Sequence, residues 1–185
     1  MQSSWHEDFK ENAIFRLDEN VRMISIALSK ISEDEIWIKQ NQALNTLGNQ
    51  LLHICGNLTQ YIISGLGGKP DERDRELEFS TEDGYTRDEL LQKLLLTVQS
   101  ATFIIEDALP ENLLNKRQVQ GFNYSGIGLV LHAVEHFSFH TGQVASQVKL
   151  IIDEPLGFYV GYDLNVHNEG PKSSQDDVDD IENLS

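Results

Sequence analysis

The chain has 185 residues, 14 Lys and Arg against 30 Asp and Glu, a formal net charge of -16 and one cysteine. This length suits one domain with a sizeable core, and the acidic balance argues against nucleic acid or an anionic membrane as a partner. No signal peptide or membrane-spanning apolar run is visible, so we expect a cytoplasmic protein. A lone Cys55 excludes internal disulfides and thiolate-rich zinc sites, so any metal ligands must be histidine, carboxylate or water.

The first half of the chain predicts two long helices. Apolar residues at helical spacing mark the first helix over residues 5–30. Ser32 and Glu35 then have the spacing of a capping box, which predicts a short helical turn. The second helix begins near residue 44, contains His53 and ends at the glycine-rich stretch that starts at Gly65.

The second half predicts two more long helices, separated by connections. Residues 70–85 are charged and poor in apolar side chains, which predicts a long surface loop of the kind that often carries function. A capping box at Thr86 and Glu89 begins the third helix, which runs to Leu109. Residues 110–124 form a connection with a short extended piece around 117–119.

Ser125 caps the fourth helix, which extends to about Ile152. Residues 156–185 form a C-terminal extension, and its polar, acidic end from residue 170 is expected to be disordered. We therefore predict an all-α four-helix bundle over residues 1–155 with short connecting helices. In such bundles, sites are built by side chains that project inward from facing helices.

Three histidines at four-residue intervals, His132, His136 and His140, lie along one side of the fourth helix. Each is displaced by about 40° and about 6 Å from the previous one, so two adjacent imidazoles can bind one metal ion. A single histidine on an apolar helix face is more often an ordinary core or surface residue, but a row of three favours a metal site. His53 lies within another long helix and supplies a third ligand, whereas His6 and His167 lie in the terminal regions. Spacing alone allows His53 with His132 and His136, or His53 with His136 and His140.

Two amides are placed to support such a site. Asn57 lies one helical turn after His53, and Gln143 lies three residues after His140. Both are candidates for hydrogen bonds to a ligand or to bound water, and both are explained equally well as ordinary buried amides. Cys55 points to a different face from His53, so we expect a buried, inert thiol.

Three stretches of the sequence resemble the DinB-like superfamily, which includes the YfiT-like thiol-dependent enzymes. They are the His53 segment at 51–58, the charged segment at 68–79 and the histidine segment at 135–143. The resemblance covers about residues 5–152 and implies a four-helix bundle, often a homodimer, with one divalent metal. It selects His53, His136 and His140 as ligands, because His140 takes the position of the histidine that precedes the family's Gly-Gln.

In that arrangement His132 becomes a neighbour of the site or a residue that, like Asn57 and Gln143, supports a ligand or bound water. Thr141 departs from the family pattern, since this position is frequently Arg. The resemblance implies a small-molecule substrate and, as a cofactor, a low-molecular-weight thiol. Arg73 and Arg75 are candidates for binding carboxylates of that thiol, although paired surface charges explain them equally well.

The activity implied by the resemblance is that of a thiol S-transferase or a hydrolase. A divalent ion with open positions lowers the pKa of a bound thiol, and water in the same place gives hydrolysis. Three imidazoles suit several metals, and the affinity order favours zinc or nickel over iron and manganese. The alternative is a metal-binding or stress-response protein without catalysis, and a third possibility is a structural bundle whose histidines bind nothing.

Overall fold

The computed structural model describes residues 4–168 and has the expected all-α architecture. The helices are α1 (Trp5–Leu28), α2 (Leu47–Leu58), α3 (Arg75–Ser80), α4 (Arg87–Asp107), α5 (Pro110–Leu114) and α6 (Gly126–Ile152), and the strands are β1 (Lys116–Val119) and β2 (Phe122–Ser125). A short 3₁₀ helix, Glu33–Trp37, follows α1, and a π-helical segment, Thr59–Leu66, continues α2. The four long helices α1, α2, α4 and α6 form the bundle.

Seven-residue apolar spacing accounts for the packing of these helices. Val130, Phe137 and Val144 of α6 are fully buried, as are Leu17 and Ile24 of α1. Residues seven apart return to nearly the same face after two turns, so each helix presents one apolar stripe to the core. Helix α1 packs on α4 and α6, and α2 packs on the same two helices. This arrangement brings α2 and α6 face to face.

The predicted helix starts are confirmed. Thr86 and Glu89 exchange hydrogen bonds as a capping box at the start of α4, and the Glu35 carboxylate accepts from the backbone N–H of Ser32. The Ser125 hydroxyl accepts from the N–H of Gly128 at the start of α6. These side chains satisfy backbone donors that have no partner within the first helical turn.

The prediction of an unbroken surface loop over residues 70–85 is wrong, because α3 forms within it. The Asp74 carboxylate accepts from the N–H of Leu77 and caps this short helix. The Asn49 amide of α2 donates to the carbonyls of Glu78 and Thr81 at 3.0 and 2.7 Å. These hydrogen bonds hold the backbone of α3 and of the residue after it against α2. One side chain of α3, that of Glu78, is buried.

The connection over residues 110–124 contains α5 and a β-hairpin. The extended piece expected around residues 117–119 is β1, the first strand of this hairpin. Strands β1 and β2 are antiparallel, with Val119 opposite Phe122. Gln120 and Gly121 both have positive φ, as a two-residue hairpin turn of this kind requires. The turn places the Gln120 side-chain oxygen 3.0 Å from the Tyr61 hydroxyl, which donates to it.

Beyond α6 the described chain continues to residue 168 without a further helix or strand. Leu156 is buried, Phe158 packs against the core, and the Phe158 carbonyl accepts from Arg22 Nη1 at 3.0 Å. The predicted disorder at 170–185 lies outside the described residues. Among residues 4–168, no helix combines the length and the apolar character needed to cross a membrane.

Candidate metal centre

Helices α2 and α6 bring three histidines together at their shared face. The ring centres of His53, His136 and His140 are separated by 4.8, 4.9 and 4.5 Å, and each residue offers a ligand nitrogen within 4.8 Å of the others. The Nε2 atoms of His53 and His136 lie 3.1 Å apart. Two nitrogens on one tetrahedral zinc ion are separated by about 3.3 Å. The cluster therefore has the size of a metal site.

The protonation states of this cluster also suit a metal. Burial lowers the pKa of His136 to about 3, with the neighbouring histidines adding to the effect. Burial likewise lowers the pKa of His140 to about 4. Both imidazoles are therefore neutral at pH 7, and neutral imidazole is the form that binds a metal.

Two ring nitrogens of the cluster have no hydrogen-bond partner in the part of the chain that the structure describes. The Nδ1 atoms of His136 and His140 are buried, and no hydrogen-bond partner reaches them within residues 4–168. A buried nitrogen without a partner is costly unless something else satisfies it. The cluster fits a divalent ion through its neutral imidazoles, with the Nε2 atoms of His53 and His136 already turned toward each other.

Behind His53 lies a buried ion pair. The Glu78 carboxylate is 2.7 Å from His53 Nδ1, and Arg73 holds the same carboxylate through Nε and Nη2 at 2.7 and 2.9 Å. Burial raises the pKa of the Glu78 carboxyl, but hydrogen bonds from Arg73 and His53 outweigh it and hold the pKa below its usual value. Glu78 is therefore a carboxylate at neutral pH, although its side chain is only 8% exposed.

His132, at the other end of the row, has different neighbours. Its ring stacks on Tyr61 at 3.9 Å between centroids and lies 6.0 Å from the Tyr124 ring. Its Nε2 is 3.4 Å from the Asn57 amide nitrogen, and burial lowers its pKa. The ring centre of His132 is 5.8 Å from that of His136. The choice that spacing left open thus has a geometric answer, since His53 clusters with His136 and His140.

The two predicted amides have different surroundings. Asn57 is 3% exposed, and its Oδ1 atom has no partner among the described residues. Burial and the neighbouring His53 lower the pKa of His140, and Gln143, one turn further along α6, opposes this lowering only weakly. Asn57 contacts His132 rather than one of the three clustered histidines, and Gln143 is exposed, so their roles at the site stay predictions.

The two arginines of the charged segment differ in their surroundings. The Arg73 side chain is 3% exposed and, besides Glu78, bonds Gln60 Oε1 through Nη1 at 3.0 Å. Arg75 is exposed, and its guanidinium lies over the Phe79 ring at 4.9 Å. Phe79 in turn lies 4.7 Å from the His53 ring. Arg75 is thus the arginine that is open to solvent.

Cys55 faces away from the histidines, as expected. Burial raises the pKa of its thiol to about 11, so it is protonated at neutral pH and is a poor metal ligand. A cavity of about 330 Å³ lies on this side of α2, and the Arg73–Glu78 pair forms one of its walls. The other lining residues include Leu52, Cys55, Thr59, Thr81, Lys93 and Thr97.

Sequence reasoning missed Glu78 as a residue of the site. Glu78 lies within a charged segment, where a glutamate is normally solvated. The apolar neighbours gave no help, since Leu77 is 60% exposed. Asp74 was the available signal, because an Asp three residues before Leu77 is a helix-capping pattern. That pattern predicts α3, but it does not reveal which side of α3 is buried.

Comparison with known proteins agrees with the predicted resemblance. The model of a family described as a protein of unknown function, DUF1572, matches residues 4–157. The crystal structure of a DinB-like protein, YjoA, from Bacillus subtilis is similar, with a TM-score of 0.59 and 16% identity over 76% of this chain and 91% of that chain. Identity this low shows a shared fold alone. Among curated proteins the search found no significant match.

Proposed function

The chain belongs to the DUF1572 family, a DinB-like family, and on this premise we propose that it is a metal-dependent enzyme. We propose His53, His136 and His140 as the ligands of one divalent ion, and thiol S-transfer or hydrolysis of a small molecule as the reaction. The observation that carries this proposal is the clustering of three ligand nitrogens within 4.8 Å. Neutral His136 and His140 strengthen it.

The chemistry follows from the ligand set. A divalent ion bound by three neutral imidazoles keeps open positions and its full charge, and it lowers the pKa of a thiol or water that binds there. We propose zinc or nickel, which imidazole binds more tightly than iron or manganese. The Phe79 ring lies against His53, and the Tyr61 and His132 rings stack on each other nearby; we propose that these rings limit the access of water to the ion.

Substrate recognition is assigned to groups beside the cluster. Arg75 is exposed and suits a carboxylate of a low-molecular-weight thiol. Arg73 is a weaker candidate for the same role, because Glu78 and Gln60 already occupy most of its donors. The Oδ1 atom of Asn57 has no partner among residues 4–168 and suits a donor on the substrate.

We also propose that the bundle comprises residues 1–155 and the extension residues 156–185, and that the protein forms a homodimer. The exposed apolar side chains of Trp5 and Phe15 on α1 support a contact at that helix. Sedimentation at several protein concentrations tests the dimer, and Phe15→Glu is the variant expected to shift it to monomer.

Metal analysis by plasma mass spectrometry on tag-free protein is the first test of the function. We expect about one metal per chain in the wild type and its loss in His53→Ala and His140→Ala. Wild-type protein that stays without metal after reconstitution would overturn the proposal.

Loaded protein is then assayed with thiols and chromogenic electrophiles, and with a panel of esters and amides. Turnover that the His140→Ala variant loses supports an enzyme. A stoichiometric metal without any turnover would favour the alternative, a non-catalytic metal-binding protein.

A further inference from the structure

We propose that Glu78 is a positioning residue that orients His53 for the metal, and that Arg73 and Gly56 hold Glu78 in place. The inference rests on the proposed function, because it requires a metal ion at the histidine cluster. It assigns a role to a segment that the sequence presents as a charged surface loop.

The contact between Glu78 and His53 fixes the state of the imidazole. A carboxylate can only accept hydrogen bonds, so the 2.7 Å contact from Glu78 assigns the proton to His53 Nδ1. Arg73 Nη2 lies 3.1 Å from the same nitrogen, but its shorter contact, at 2.9 Å, is to the Glu78 carboxylate, to which it donates. The Nε2 atom then carries the lone pair, and it is the atom that faces His136 at 3.1 Å. Carboxylates behind metal-binding histidines commonly set the tautomer and ring direction in this way.

Arg73 fixes the carboxylate itself. Its Nε and Nη2 atoms bind the two oxygens of Glu78 at 2.7 and 2.9 Å, which is the two-pronged geometry that only arginine provides. A further N–H of Arg73 donates to Gln60 on the π-helical segment. Gln60 therefore fixes the position of the Arg73 guanidinium, and the guanidinium in turn orients the Glu78 carboxylate toward His53.

Gly56 makes room for this pair against α2. A Cβ atom at position 56 would lie 1.8 Å from Glu78 Oε1, 2.7 Å from its carboxyl carbon and 3.0 Å from Arg73 Nε. Glycine inside a helix is destabilising relative to alanine, so its presence here needs a reason. Only a glycine lets the Glu78 carboxylate lie on the helix backbone and reach a histidine three residues earlier.

The position of α3 is consistent with this role. Asn49, one helical turn before His53, donates to the Glu78 carbonyl. The backbone of Glu78 and its side chain are thus both bound to α2. Such a doubly held carboxylate has little freedom to turn away from the imidazole.

The first experiment compares Glu78→Ala with Glu76→Ala. Glu76 is an exposed carboxylate on the same short helix and serves as the matched control. Zinc affinity is measured by competition with a chromophoric chelator, and the absorption bands of the cobalt-loaded protein report the ligand geometry. We expect Glu78→Ala to weaken zinc binding about 10–100-fold and to shift the cobalt bands, while Glu76→Ala keeps both. If Glu78→Ala does not fold, Glu78→Gln replaces it, with a loss of about 10-fold.

The second experiment tests whether Gly56 acts through Glu78. We expect Gly56→Ala to weaken zinc binding in the wild-type background and to have no further effect in Glu78→Ala. Gly142→Ala is the control, because a Cβ atom there meets nothing within 4 Å. An equal effect of Gly56→Ala in both backgrounds would mean that it distorts α2 in general, and would remove Gly56 from the proposal.

The outcomes separate this inference from the proposed function. If the wild type binds metal and Glu78→Ala has the same zinc affinity and the same cobalt bands, the role of Glu78 is overturned. The proposed metal site is then unaffected. A wild-type protein that binds no metal would overturn both.

Discussion

His132 and His140 flank His136 at the same four-residue spacing on α6, yet they lie in different surroundings. His140 meets His53, which is supported from behind by the charged Glu78. His132 meets the ring of Tyr61 and stacks on it at 3.9 Å. One end of the row is therefore a polar cluster of ligand nitrogens, and the other end is an aromatic stack.

The difference shows what decides the role of a histidine in a periodic row. Their spacing gives the three histidines of α6 equivalent positions on that helix. The side chains that the facing helix presents to them make their surroundings different. At the His140 end α2 presents the imidazole of His53. About two turns further along, the π-helical segment that continues α2 presents the phenol ring of Tyr61. A metal needs several nitrogen donors at once, so only the first end qualifies.

The largest expected effect is on metal binding at the two ends. His140→Ala should weaken zinc binding by more than about 100-fold, beyond the loss caused by removing a hydrogen-bond partner of a ligand. His132→Phe, the control on the same helix, should keep the wild-type metal content. Isothermal titration with zinc measures both variants. If both variants lost zinc affinity to a similar extent, the assignment of His140 to the metal site and of His132 to the aromatic stack would be wrong.

The second effect is on stability, through the charges behind the His140 end. Glu78→Ala leaves the buried Arg73 guanidinium without its carboxylate, which should lower the free energy of unfolding by about 3–5 kcal/mol. The double variant Arg73→Met/Glu78→Met removes both charges and should be less destabilised than Glu78→Ala. Urea denaturation of metal-free protein measures this order, and Glu76→Ala is the exposed control. A reversed order would show that the pair is not electrostatically buried.

The third effect is a loss of stability on acidification. The folded pKa of His136 is about 3 and that of His140 about 4, both below the ordinary 6.5. Between pH 6.5 and these values the unfolded chain binds more protons, so the free energy of unfolding falls as the pH falls. We expect up to about 1.4 kcal/mol per pH unit for each histidine, measured with urea and chelator from about pH 7 to about pH 5.

A variant within the cluster checks the source of this slope. His140→Gln should reduce the pH dependence by about one histidine's share. A slope that stays the same in this variant would mean that other groups of the chain take up the protons.

The smallest expected effect is at the aromatic end. Stacked aromatic pairs contribute about 0.5–1.5 kcal/mol, so His132→Ala should lower the free energy of unfolding by about 1 kcal/mol. His132→Phe keeps a ring over Tyr61 and should stay close to the wild type. If His132→Phe proved as unstable as His132→Ala, the hydrogen bond to Asn57 would outweigh the stack.

Much of the bundle was predictable because helical periodicity and capping are local. Thr86 and Glu89 are three residues apart, and the hydrogen bonds that they exchange depend on no distant part of the chain. The apolar stripe of α6 repeats every seven residues for the same reason. Apolar spacing could not reveal the helix within residues 70–85. That helix, α3, is short, and the side chain that it buries, Glu78, is charged.

The sequence by itself determined the long helices, the row of histidines on α6 and the presence of His53 on a second helix. Only the tertiary structure decided that His53 meets His136 and His140, because the register between two packed helices depends on how their side chains interlock. Only the tertiary structure also decided that Glu78 is buried. A carboxylate leaves water when a guanidinium and an imidazole replace its hydrogen bonds, and those partners, Arg73 and His53, come from separate segments of the chain.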